Sequence, residues 1–162
     1  MKKTIFLLAF ILSLASCHSQ EKKTEKVSPK NKISKTDAQW KTELTPEQYQ
    51  VLRNKGTEAS FSGKYWNHFE KGYYACVACK NPLFTSDAKF NSECGWPSFD
   101  QAIKGSVIYK DDSTFGMQRT EVMCSNCNGH LGHVFDDGPS ETTGKRFCTN
   151  SVSILFIPKK KK

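Results

Sequence analysis

Two Cys-x-x-Cys turns, Cys76-Val77-Ala78-Cys79 and Cys124-Ser125-Asn126-Cys127, constrain this chain more than any other feature. Each turn aims two thiolates at one point, and two such turns supply the four ligands of a closed tetrahedral Zn²⁺ site. The 44 residues between them are more than a compact zinc module uses, so the ion would tie together two hairpins distant in sequence. Two disulfides, local or crossed, are the competing reading. A redox-active Cys-x-x-Cys is disfavoured because it needs a βαβ context that this sequence lacks.

Around those turns the chain is written as β structure. The runs GYYACVAC, GSVIYKDD, TFGMQRTEVMC, GHLGHVF and RFCTNSVSILFI are β-branched or aromatic, with Gly, Asp, Asn, Pro and Ser clusters between them. One helix precedes them, in LTPEQYQVLRNKG at 44–56. Thr45 is its N-cap, Pro46 sits at the first helical position, and Gln48 completes a capping box. Gly56 is expected as its left-handed stop. These patterns predict a small, mainly β domain with one or two leading helices.

The chain begins with a leader, not with the fold. Lys2 and Lys3 precede an apolar stretch from Ile5 to Leu14, too short to span ~30 Å of hydrocarbon as a helix. It reads as an export signal. Its end, Leu14-Ala15-Ser16-Cys17, resembles the lipobox of bacterial lipoproteins, which implies cleavage after residue 16 and acylation of Cys17. An ordinary secretory signal or an uncleaved anchor are the alternatives. Residues 17–43 are polar and Lys-rich and are expected to be a flexible tether. The catalytic or binding domain is expected over 44–158, with a basic tail at 159–162. The formal charge of +8 sits at the ends: +2 in the leader, +3 in the tether and +4 in the tail, leaving 44–158 at −1. With no basic stripe in the body, nucleic acid is not expected as a partner. The basic ends suit an anionic membrane surface.

Setting aside Cys17 and the four metal ligands leaves Cys94 and Cys148. A static disulfide and a reactive thiol with a resolving partner both account for an even pair. Strand alternation in 146–156 favours reactivity. Arg146, Cys148 and Asn150 fall on one face, followed by Val152, Ile154 and Phe156, and a guanidinium beside a thiol favours the thiolate. In GHLGHVFDDG, His130 and His133 offer proton delivery near neutral pH, with Asp136 and Asp137 following. Trp96, two residues beyond Cys94, is either core or the wall of an apolar pocket.

Taken together, GYYACVAC, CGWPSF, CSNCNGHLGHVFDDGP and TGKRFCTNSVSILF resemble the B-type methionine sulfoxide reductases, from about Leu44 to Ile157. The resemblance implies two antiparallel β-sheets with a few peripheral N-terminal helices and a Cys₄ zinc away from the active site. It implies thiol-dependent reduction of methionine (R)-S-oxide in oxidised proteins. In it Cys148 is the nucleophile that becomes a sulfenic acid, and Cys94 is the resolving cysteine that closes a Cys94–Cys148 disulfide. Trp96 receives the substrate's methyl group. His130, His133, Arg146 and Asn150 form the polar shell, with Asp137 as an acidic neighbour. A thioredoxin-like reductant reopens the disulfide. Glu93 departs from the family's pattern, which usually has Gly there. With the leader, these readings together predict an envelope enzyme held to a membrane by lipid on the exported side.

Overall fold

A computed structural model describes residues 32–160. The leader, Cys17, most of the tether, and Lys161 and Lys162 lie outside the described residues.

Two short helices open the structure, α1 (Asp37–Glu43) and α2 (Pro46–Leu52). Both start with the same device, a Thr side chain and a Gln three residues later capping each other's backbone: Thr36 with Gln39, and Thr45 with Gln48. The second matches the sequence reading and the first corrects it. Residues 37–43 are helix, not tether, because Trp40 is driven into the core, where it is 1% exposed. Just before it, Ile33 N–H donates to the Asn126 carbonyl at 2.8 Å. Packed structure therefore begins about ten residues before Leu44, at Ile33. The stop of α2 also differs: the left-handed residue is Lys55, with φ 58°, and not Gly56.

Nine strands follow: β1 (Gly72–Cys76), β2 (Pro82–Thr85), β3 (Lys89–Phe90), β4 (Ser98–Phe99), β5 (Val107–Asp112), β6 (Arg119–Cys124), β7 (His130–Phe135), β8 (Arg146–Thr149) and β9 (Ile154–Pro158). They form two antiparallel sheets, a three-stranded one in the order β2-β1-β9 and a six-stranded one in the order β3-β4-β8-β7-β6-β5. Aromatic rings join them. Phe84 of the small sheet stacks on Phe99 of the large one with centroids 4.3 Å apart, and Tyr74 meets Phe99 edge-on at 5.0 Å.

The run RFCTNSVSILFI is not one strand, which corrects the expected six-residue face. A 3₁₀ turn at Ser151–Ser153 breaks it, so β8 lies in the large sheet and β9 in the small one. Glu58 holds that bend. Its carboxylate accepts the backbone N–H groups of Ser151 at 2.6 Å and Val152 at 3.0 Å. Arg146 and Cys148 stay on one face of β8, while Ile154 belongs to the core beneath the other sheet.

Candidate active site and metal centre

The four paired cysteines come together between the sheets. Cys76 ends β1 and Cys124 ends β6. The Sγ atoms of Cys76 and Cys127 are 3.7 Å apart, and those of Cys79 and Cys124 are 3.5 Å apart. All four lie within 4.8 Å of one another. A disulfide needs ~2.05 Å, whereas four sulfurs at ~2.3 Å from one tetrahedral ion stand ~3.8 Å apart. The set fits a metal ion and excludes the disulfide reading. The two turns are built alike. Lys80 and Asn128, each following its second cysteine, adopt φ 62° and 57°. Each donates its N–H to the carbonyl of the first cysteine, at 2.8 and 2.9 Å. The centre sits at one end of β6 and a second site at the other. Arg119 begins that six-residue strand, about 17 Å from its far end at ~3.4 Å per residue.

The second site is a pocket with room for about 150 Å³, lined by Trp96, Arg119, His133, Phe135, Cys148 and Asn150 among others. Register explains why its chemistry converges. In the ladders, Ser98 on β4 and His133 on β7 both stand opposite Cys148 on β8, so the three side chains form a row on one sheet face. Gly132 permits the close approach of β7 to β8, because a Cβ there would meet the Cys148 carbonyl oxygen at 2.0 Å.

Cys94 and Cys148 are both free thiols, with their Sγ atoms 3.8 Å apart. Two hydroxyls attend Cys94: Ser92 Oγ at 3.0 Å and Ser98 Oγ at 3.5 Å. Hydrogen bonding from Cys148 first, then from the serines, lowers the Cys94 thiol to about 4 against the opposition of burial. The same pairing with Cys94, together with burial, pushes the Cys148 thiol up; Arg146 acts in the opposite direction and is outweighed. The two sulfurs titrate as one pair, their mutual hydrogen bond holding Cys94 low and Cys148 high.

Arg146 is committed elsewhere. It grips Asp137 with two bonds of 2.8 and 2.7 Å and stacks on Phe135 at 4.5 Å. The arginine that lines the pocket is Arg119, which sequence reasoning missed. Its Nη2 donates to Asp112 at 2.6 Å, while its buried Nε has no partner among the described residues. Asp112 also meets His133 Nε2 at 2.8 Å, leaving Nδ1 as the free ring nitrogen. Bonds from Thr114 first, then His133 and Arg119, hold the Asp112 carboxyl well below the usual range. Alternation along TFGMQRTEV was the available signal: Arg119 and Glu121 share a strand face that apolar residues would otherwise fill.

His130 lies behind this pocket rather than in it. It is buried, with Nδ1 against Glu121 at 2.8 Å, and its Nε2 has no partner among the described residues. Lys55 balances Glu121 from outside at 2.6 Å. Burial lowers the His130 pKa, with Glu121 opposing. Asn150 lines the pocket with both ends of its amide engaged, accepting from Glu58 N–H and donating to the Leu131 carbonyl, each at 3.0 Å. Trp96 lines the pocket, its indole N–H held by the Glu58 carbonyl at 3.1 Å. Glu93 adopts φ 56°, in the left-handed region that glycine enters freely.

A mainly β domain that separates a four-thiolate centre from a pocket with two facing thiols defines a thiol-bearing oxidoreductase class. The family model for the SelR domain matches residues 44–158, and the chain belongs to that family, the B-type methionine sulfoxide reductases. It is an oxidoreductase that reduces methionine sulfoxide. The chain is 56% identical to the peptide methionine sulfoxide reductase MsrB of Agrobacterium fabrum over 128 residues, covering 78% of this chain and 94% of that protein. It is 56% identical to MsrB of Thiobacillus denitrificans, covering 77% and 95%. Against MsrB of Acinetobacter baumannii the identity is 51%, covering 80% and 94%. A solved Mis18 "Yippee-like" domain matches 57% of this chain and 100% of its own at 18% identity and a TM-score of 0.46, too loose a likeness to speak to function.

Proposed function

We propose that the chain reduces the R epimer of methionine sulfoxide in oxidised proteins through Cys148 and Cys94. Cys148 attacks the sulfoxide sulfur as its proton passes to Cys94 or onward. The oxygen takes up a proton, its bond to the methionine sulfur breaks and it passes to the Cys148 sulfur as the transient sulfur–sulfur bond opens, so methionine leaves reduced and Cys148 becomes a sulfenic acid, the reversible rung of cysteine oxidation. His133 is the proton donor, turned by Asp112 so that Nδ1 serves the pocket. Trp96 and Phe135 accept the methyl group, and Arg119 steadies the developing charge. Cys94 then attacks the sulfenic sulfur, forming the disulfide and releasing water. An external dithiol of thioredoxin type returns both thiols and is itself oxidised to a disulfide. The observation that carries this reading is the 3.8 Å separation of two free thiols at a pocket with an imidazole in register.

Around that chemistry stand three further parts of the proposal. The four-thiolate centre holds Zn²⁺, the ion whose structural sites take four cysteines. Cys17 carries lipid and fixes the enzyme to a membrane on the exported side. The reductant is supplied there by a dedicated thioredoxin-like partner, since an oxidising compartment otherwise traps the disulfide. The support for the last two is the leader and its Leu-Ala-Ser-Cys end.

The test is the full chain with excess dithiol and racemic N-acetyl-methionine sulfoxide, both epimers followed by chiral chromatography beside a Cys148→Ser variant. Loss of the R epimer alone, abolished in the variant, is the expected result. Turnover that survives Cys148→Ser overturns the nucleophile.

A further inference from the structure

The reacting pocket holds the end of one side chain and nothing more. Beside it runs a wider groove, with room for about 630 Å³, that shares Thr57, Arg119 and His133 with the pocket. Phe115 and Met117 give this groove its apolar lining, beside Gln50 and Asn54, whose amides bond each other at 2.9 Å, and the ionisable groups of Lys55, Asp112, Glu121 and His130. Phe115 is 93% exposed, the barest large apolar side chain among the described residues.

Its conformation is as unusual as its exposure. Phe115 adopts φ 56° and ψ 27°, the left-handed region that a bulky residue enters only at a steric cost. The next residue, Gly116, is also left-handed at φ 71°, and a Cβ added there would meet nothing within 4 Å. The turn is not loose. Asp112 accepts from the Thr114 N–H at 3.1 Å and from its hydroxyl at 2.6 Å, and the same carboxylate holds Arg119 and His133. A pinned turn thus presents a ring that contributes nothing to the core. An exposed phenylalanine in a strained conformation stabilises no part of this fold, so its use lies outside the folded chain.

We propose that the groove lined by Phe115, Met117 and Asn54 binds the polypeptide on one side of the methionine sulfoxide residue, with Phe115 and Met117 packing on apolar side chains flanking it. This rests on the reduction proposed above. The occupant follows from continuity. A sulfoxide side chain seated against Cys148 leaves its own backbone at the pocket mouth, and three extended residues reach ~10 Å further. The groove begins at that mouth. Its lining offers an extended segment the aromatic and thioether surfaces of Phe115 and Met117 for apolar side chains, beside polar groups for the backbone. The substrate class is therefore methionine sulfoxide within apolar stretches of protein, such as those that an oxidised or partly unfolded client exposes.

The experiment compares two substrates under a small dithiol, which removes any protein reductant from the assay. One is N-acetyl-methionine (R)-sulfoxide, and the other a heptapeptide with that residue at its centre and leucines around it. Phe115→Asn keeps a residue that accepts the left-handed turn, and calorimetry on each variant confirms an intact fold. The expected result is a rise of about tenfold in KM for the heptapeptide, the size of one lost apolar contact, with the N-acetyl substrate unchanged. A Met117→Gln variant moves the same way by a smaller factor. Equal effects on both substrates, or none on the heptapeptide, overturn the groove. A parent enzyme that reduces neither substrate overturns the reduction reading itself, which is a separate failure.

Discussion

His133 on β7 and Cys148 on β8 are direct register partners, so imidazole and thiol stand side by side on one face of the large sheet. Three residues earlier, His130 turns away from the pocket toward buried Glu121. The two histidines therefore have different surroundings despite their closeness in sequence. Replacing His133 by Asn is expected to lower kcat by about 10²–10⁴, the usual contribution of a positioned proton donor, with little change in KM. His130→Gln is expected to act mainly on stability. Steady-state kinetics on N-acetyl-methionine (R)-sulfoxide separates them, and equal losses of kcat in both would sink the division.

Uncoupling the two thiols has a directional outcome. In Cys94→Ser the neighbouring thiolate is gone, so the Cys148 thiol should fall from its raised position, helped by Arg146. Thiolate absorbance near 240 nm, followed against pH in this variant and in Cys148→Ser, reads each sulfur alone. In the parent, the thiol held at about 4 is ionised throughout the neutral range. Replacing Cys148 by Ser removes the thiol whose bond contributes most to that lowering, so the Cys94 thiol should rise in that variant. A Cys148 thiol that stays far above its ordinary value without Cys94 would contradict the coupling.

Stability should fall on mild acidification, and His130 is a named cause. Its folded pKa lies below the ordinary value because burial disfavours the charged ring. The unfolded chain takes up a proton near pH ~6.5 that the folded chain refuses. Stability is therefore full above that pH and is lost as pH drops toward the depressed value. Urea midpoints at pH 7.5 and 5.5 should separate more in the parent than in His130→Gln. Identical separations would place the acid sensitivity elsewhere.

Metal removal should loosen the junction of the two sheets. A thiol-directed mercurial is expected to release one ion per chain, identified by elemental analysis, and to abolish cooperative melting, since a structural ion contributes directly to folding. Cys124→Ser should bind weakly or not at all. A reduced, metal-free chain that melts at the parent's temperature would refute the structural role.

Much of this was legible where the chemistry repeats in sequence. The doubled Cys-x-x-Cys specified a cluster that the fold then closes, and Thr45-Pro46-Glu47-Gln48 specified a helix start to the residue. Three kinds of feature were hidden. β3 and β4 have two residues each, too few for any alternation to register, yet β4 delivers Ser98 to Cys148. Trp40 sits among lysines and threonines, so composition read as tether what a single buried indole makes into a helix. The break between β8 and β9 depends on Glu58, more than ninety residues before it, and no local pattern carries such a partner.

Cys94 and Cys148, the two sulfurs to which the redox step is assigned in the proposal, stand on rigid neighbours, Cys148 in a central strand and Cys94 in a loop whose Gly95 lies tight against Phe61, where a Cβ would meet the Phe61 nitrogen at 2.7 Å. Joining them takes the sulfurs from 3.8 Å to ~2.05 Å, within the reach of side-chain rotation. Spent and ready forms of the molecule should then be nearly superimposable. A protein that restores the spent form has almost no difference in shape to read, so its selectivity must come from the chemistry of the exposed sulfur bond itself.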